Sequence, residues 1–163
     1  MPRYCKQRNK SSCCPVAIFN AMKWAGMPDS FQAVVPRLIK ICQTKPYPAG
    51  TSRKQFRRVL HHIFRKAPVD VRICEVGRPN ARMIDAHLRR GGAIIVSYGH
   101  DKKGDGGHTG LLIPGDRRDR IVGTVNLYGD TPTLYCRPTK VFARRHLSKR
   151  KDEYRRAWFL TKI

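Results

Sequence analysis

Between positions 13 and 25 almost every residue is apolar, and only Asn20 and Lys23 are polar beyond the first turn. A helix that is apolar nearly all round has no face left for solvent, so the pattern predicts a central, buried helix. Pro15 falls in its first turn, where a missing N–H does no harm, and Gly26 supplies a C-terminal stop. A second helical pattern starts at Asp29 or Ser30 and runs to about Gln43, with Pro36 expected to kink or divide it. A third follows a cap at Thr51 or Ser52, with Phe56, Val59, Leu60 and Ile63 at helical spacing. Val69, Val71 and Ile73 alternate with polar residues, as in a half-buried strand. Asn80 can cap a short helix to about Arg90, which Gly91 and Gly92 end.

The pattern then changes period. Apolar runs at 93–98, 108–113 and 120–128 read as strands, with a tight hairpin connection over 114–120. Residues 140–147 are a candidate helix, 148–156 a charged connection and 157–163 a closing strand. Helices come first and an antiparallel sheet second, which is the α+β class. The 163 residues fit a single domain, 1–163, led by a polar, basic arm over 1–12.

Charge alters this picture. Thirty-four Lys+Arg against 11 Asp+Glu give +23, more than solubility needs, because self-repulsion of that size opposes compaction. Such a chain meets polyanions by electrostatics alone, nucleic acid first among them. No sequence-reading motif accompanies the charge, so the expected contact is with phosphate and independent of sequence. The densest basic stripe, on the outer face of the third helix, contains Arg53, Lys54, Arg57, Arg58, Arg65 and Lys66. The first residues lack the apolar core of an export signal and no run reaches membrane-spanning length. The expected setting is therefore the cytoplasm, or a particle such as a virion assembled there. Six cysteines, at 5, 13, 14, 42, 74 and 136, form no C-x-x-C pair, which argues against zinc, and no cofactor is expected. Cys42, Cys74 and Cys136 read as buried structural thiols, and His61, His62, His87 and His146 as solvated side chains on polar helical faces.

The candidate chemistry is at the mouth of the first helix. Helix N-termini carry unpaired N–H groups and the positive end of the dipole, which lower a thiol's pKa and can hold an oxyanion. Cys13 stands there, with Gln7 six residues upstream, and Gly106-Gly107-His108 supplies a candidate base at the start of a strand. A thiol hydrolase needs a thiolate, an imidazole that takes its proton and returns it to the leaving amine, and a third group that orients the imidazole. An amide near the nucleophile can stabilise the tetrahedral oxyanion.

These residues resemble the small papain-like cysteine peptidases related to the double-glycine leader-cleaving domains of bacteriocin exporters. The likeness lies in Gln7, Cys13, Cys14-Pro15 and Ala17, and in Gly107-His108 followed by the apolar strand to Ile113. The closing Trp158-Phe159-Leu160 also fits. The resemblance implies a papain-like fold, a nucleophile helix packed on the sheet, and a peptide substrate. It implies Cys13 as nucleophile, His108 as base and acid, Asn126 as the orienting group and Gln7 at the oxyanion. Cys14 stands where the family usually has glycine, which leaves Cys14 open as the nucleophile, and Asp130 stays open as the third member. Two other readings remain. One is a catalytically retired fold serving as a basic nucleic-acid-binding component of a ribonucleoprotein or capsid. The other is the same thiol chemistry applied to a glutamine amide, by deamidation or transfer.

Overall fold

The computed structural model describes residues 4–9, 11–28, 30–46, 49–77, 79–99, 107–114, 122–125, 133–136 and 156–163. Within them the order is α1 (Cys13–Ala25), α2 (Phe31–Ile41), α3 (Arg53–Arg65), β1 (Val71–Gly77), α4 (Ala81–Arg89), β2 (Ala93–Gly99), β3 (Gly107–Ile113), β4 (Val122–Val125), β5 (Thr133–Cys136) and β6 (Arg156–Lys162). The described strands form one antiparallel sheet in the order β1-β6-β2-β3-β4-β5. The last strand in sequence therefore lies between β1 and β2 and closes the sheet around the chain's C-terminal segment. The class is α+β, as the order of patterns predicts.

Side-chain alternation divides the core into two. Ile95, Leu111, Trp158 and Leu160 face α1, α2 and α3, with the ring of Phe56 edge-on to Trp158 at 4.7 Å. On the other face Ile94, Val96, Leu112, Ala157 and Phe159 pack against Ile84 and Leu88 of α4. Burial on both faces explains why 93–96 is a continuous apolar run rather than an alternating one. Helix α1 is buried along its length apart from half-buried Lys23, whose ammonium lies 5.6 Å from the Phe19 ring centre. Its end is set by Gly26 at φ 89°, a left-handed position that lets the Met27 N–H reach the Met22 carbonyl at 3.0 Å.

Several expectations change. Pro36 does not divide α2: Phe31–Ile41 is one helix, capped by Ser30 rather than Asp29. Pro36 and the Gln32 carbonyl it leaves without an N–H lie on the exposed side, while Val35 and Leu38 hold the seam. The strand expected from Val69 begins at Val71, after the bend at Pro68. The run expected over 120–128 contains β4, and β5 was not anticipated; it is four residues long and set between Pro132 and Pro138. Cys74 is exposed, not buried. It shares the outer face of β1 with exposed Arg72, and of that strand only Val76 packs against the α4 cluster. His87 is not a solvated surface residue either. Its Nε2 lies 2.9 Å from the Leu160 carbonyl and its ring packs edge-on to Phe159. A side chain at Gly92 would overlap that ring, which is why a glycine follows α4 there. His61 and His62 are exposed, and Cys42 is fully buried. The connection 114–120, the candidate helix 140–147, His146 and the Cys136 side chain lie outside the described residues.

One carboxylate clamps three elements. Glu75 of β1 accepts from Arg53 at 2.9 Å and from Arg156 of β6 at 3.2 Å, and lies 3.3 Å from Arg57 of α3. Burial alone would raise the Glu75 carboxyl, but the hydrogen bonds and charges of these arginines outweigh it and hold the group below 4.5. A depressed carboxylate stabilises above its unfolded pKa, and that contribution disappears as pH falls through the folded value. Glu75→Gln should therefore cost about 1 kcal/mol at neutral pH, discounted because the guanidinium groups are partly exposed. In denaturant melts the difference from wild type should shrink as pH falls below the ordinary carboxylate range and vanish once Glu75 is protonated in the folded protein.

Candidate active site

A buried amide ties the leading segment to α1. Asn20, with no exposed surface, accepts the Cys5 N–H at 2.8 Å and donates to the Cys5 carbonyl at 2.9 Å. This two-way bond fixes the backbone two residues before Gln7. Gln7 is 6% exposed, its Nε2 donates to the Asn9 carbonyl at 3.0 Å, and its buried Oε1 has no partner among the described residues. Asn9 in turn receives the Ser11 and Ser12 N–H groups on Oδ1, each at 3.0 Å. A chain of short polar links thus runs from Gln7 to the N-cap of α1.

The mouth of α1 differs chemically from the other helix starts. Ser30, Ser52 and Asn80 each accept the N–H three residues on, from Ala33, Gln55 and Met83. Three residues beyond Ser12 is Pro15, which has no N–H, and Ser12 makes no capping bond. Its hydroxyl donates back to the Asn9 carbonyl at 3.4 Å instead. The positive end of α1 is therefore left without a side-chain cap beside Cys13 and Cys14, its first two residues.

Those two thiols have the same slight exposure, 8% each, so exposure does not separate them. Their surroundings do. Cys14 Sγ lies 3.3 Å from the Thr109 hydroxyl, a buried contact joining α1 to β3. A hydrogen bond to Cys13, then burial, pushes the Cys14 thiol well above its usual value, and the Thr109 contact offsets only part of this. Cys14 is thereby held as a thiol. Thr109 directly follows His108, whose backbone pairs with Tyr98 of β2. The chain neighbours of Cys13 and His108 are thus in contact, and the fold brings the two segments together.

The His108 side chain, Asn126 and Asp130 lie outside the described residues; Asn126 directly follows β4, whose Val125 pairs with Leu111 of β3. Of the basic stripe, Arg53 and Arg57 are committed to Glu75, while Lys54, Arg58, Arg65 and Lys66 are exposed. No cluster of three metal-ligating side chains occurs among the described residues. Asn9, Asn20 and Thr109 were missed from sequence. Asn20 carried a signal, being a polar residue inside an otherwise apolar helix.

No protein-family profile matches the chain, and no curated protein matches it by sequence. Among solved structures it is similar to the peptidase domain of Streptococcus ComA, a bi-functional ABC transporter involved in a quorum-sensing pathway. The TM-score is 0.67 with 100% of both chains covered, at 12% identity. The fold is papain-like. At that identity the likeness establishes architecture, and it matches the resemblance carried by Gln7, Cys13 and the His108 strand.

Burial makes a direct prediction about thiol reactivity. Cys42 is pushed up to about 12 by burial, leaving roughly one part in ten thousand as thiolate at pH 8. With iodoacetamide and peptide mapping, Cys42 and Cys14 should stay unmodified in the folded protein, exposed Cys74 should react, and all should react in denaturant.

Proposed function

We propose that this chain is a cysteine peptidase that hydrolyses peptide bonds with Cys13 as nucleophile, His108 as base and acid, Asn126 as orienting group and Gln7 at the oxyanion. The observation that carries this is the buried Cys14–Thr109 contact, which sets the residue after the proposed nucleophile against the residue after the proposed base. Cys13 is preferred to Cys14 because the Cys14 thiol is engaged with Thr109 across the fold, and because Cys13 holds the six-residue offset from Gln7 that the resemblance implies.

The reaction proceeds as follows. His108 takes the Cys13 proton, and the thiolate attacks the scissile carbonyl carbon, forming a C–S bond and moving the carbonyl π pair onto oxygen. One N–H of the Gln7 amide is held by the Asn9 carbonyl. That bond fixes the amide plane, and the second N–H is directed to the oxyanion beside the uncapped end of α1. Collapse breaks the C–N bond, and the amine leaves with the proton from His108. Water, deprotonated by His108, then cleaves the thioester, releasing a carboxylate and restoring the Cys13 thiol.

The net charge of +23 supports work beside nucleic acid through sequence-independent phosphate contacts, inside the cell or within a virion-like particle. The substrate is then a protein or peptide met in that setting.

Incubation with a diverse peptide mixture, followed by mass spectrometry, tests the reaction. The expected result is new peptide termini that are absent with Cys13→Ala or His108→Ala, and a kcat lowered about 10²–10³-fold in Gln7→Ala. Peptides converted from Gln to Glu with no chain cleavage would replace this reading with deamidation. No conversion at all would favour the retired, basic scaffold.

A further inference from the structure

We infer that the groove between the C-terminal end of α2 and the adjacent face of α3 binds the phosphodiester backbone of nucleic acid. This rests on the nucleic-acid part of the reading above and is independent of the thiol chemistry.

The two sides of α3 treat their cations differently. Arg53 and Arg57 are paired with Glu75, a carboxylate they share with Arg156. Arg58, His62 and Arg65, spaced four and three residues apart along one helical face, line a cavity of about 690 Å³ with Lys40 on the opposite wall. No carboxylate lines this groove; Asp70 belongs to the adjoining cavity that shares Arg65. Lys40, Arg58 and Arg65 thus converge where two helices form a concave surface with no lining carboxylate, which strengthens the field on an anion there.

The groove is also built in advance. Gln55 Nε2 donates to the Ile41 carbonyl, tying α3 to the last turn of α2 and fixing the spacing of the walls. Gln43, which also lines the groove, sits at φ 49° just past the C-cap of α2, a left-handed position that favours glycine. Keeping an amide side chain there costs stability, and at this place the side chain offers hydrogen bonds to a bound group. No Phe, Tyr or Trp lines the groove, so bases have no stacking platform and recognition falls on phosphates, without sequence preference.

Fluorescence anisotropy with a labelled oligothymidylate, at several salt concentrations, tests the assignment. Arg58→Glu/Arg65→Glu should weaken binding by about tenfold or more, and flatten the slope of log affinity against log salt by about 1.4, as for two lost phosphate contacts. Arg82→Glu/Arg90→Glu makes the same change in net charge around α4, across the sheet, and should have a much smaller effect. Gln43→Gly should raise the Tm by about 2–4 °C while weakening binding, which separates loss of the ligand contact from loss of fold.

Equal weakening by both double variants would overturn the groove and leave only diffuse attraction. So would loss of poly-glutamate binding in Arg58→Glu/Arg65→Glu with oligothymidylate binding intact, which would mark a site for acidic protein. A wild-type protein that retains no oligonucleotide at any salt would instead end the nucleic-acid reading itself.

Discussion

The mouth of α1 is fastened to β3 by one buried contact, between the Cys14 thiol and the Thr109 hydroxyl, and the candidate chemistry depends on that junction. Helix and strand are far apart in sequence, and the apolar packing of α1 on the sheet is non-directional. It brings the elements together without fixing the register of the helix end to within an ångström. A specific contact between buried side chains can do so, because a buried threonine hydroxyl is costly to leave unsatisfied, although the thiol itself is only a weak hydrogen-bonding partner. Pro15 contributes from the helix side by removing the N–H that a serine N-cap would otherwise occupy. Asn20 contributes from the other side by fixing the segment that carries Gln7. Three unrelated devices thus converge on the first turn of α1, whereas the other helices have ordinary caps.

Charge in this protein is unevenly resolved. Glu75 gathers three arginines and uses their attraction to join β1, α3 and β6, offsetting some of the self-repulsion of a +23 chain. On the adjoining face of α3, Arg58 and Arg65 have no carboxylate lining their groove. A helix read from sequence as a uniform basic stripe is therefore two surfaces, one structural and one open to an anion. Which arginine falls on which surface follows from the position of a single glutamate on a neighbouring strand.

Much of the architecture was legible from local pattern. The boundaries of α1, a cap at Thr51 or Ser52 (Ser52 in the structure), the cap at Asn80 and the closing strand follow from hydrophobic period and N-cap chemistry, because these are decided within a few residues of chain. What was not legible depends on distant partners. Nothing near 156–162 says that β6 inserts between β1 and β2. The four residues of β5 are too few for a periodic signal. Cys74 and His87 were misplaced because their surroundings are tertiary: the His87 ring of α4 docks on Leu160 and Phe159 of β6, while no described element covers Cys74 on β1. At the site, Cys13, Gln7 and the His108 strand were visible as types at a spacing. Thr109 and Asn20 became visible as partners only once the elements were packed.

In the proposed chemistry Cys13 is ionised by an imidazole brought to it across the fold, while Cys14 stays a thiol. The rate of Cys13 alkylation as a function of pH, followed by peptide mapping in wild type and His108→Ala, tests this most directly. The expected result is appreciable Cys13 labelling well below the ordinary thiol range near pH 8.5, and a shift of that profile to about 8.5 or above when His108 is removed. A Cys13 profile that is ordinary in the wild type and unmoved by His108→Ala would contradict it.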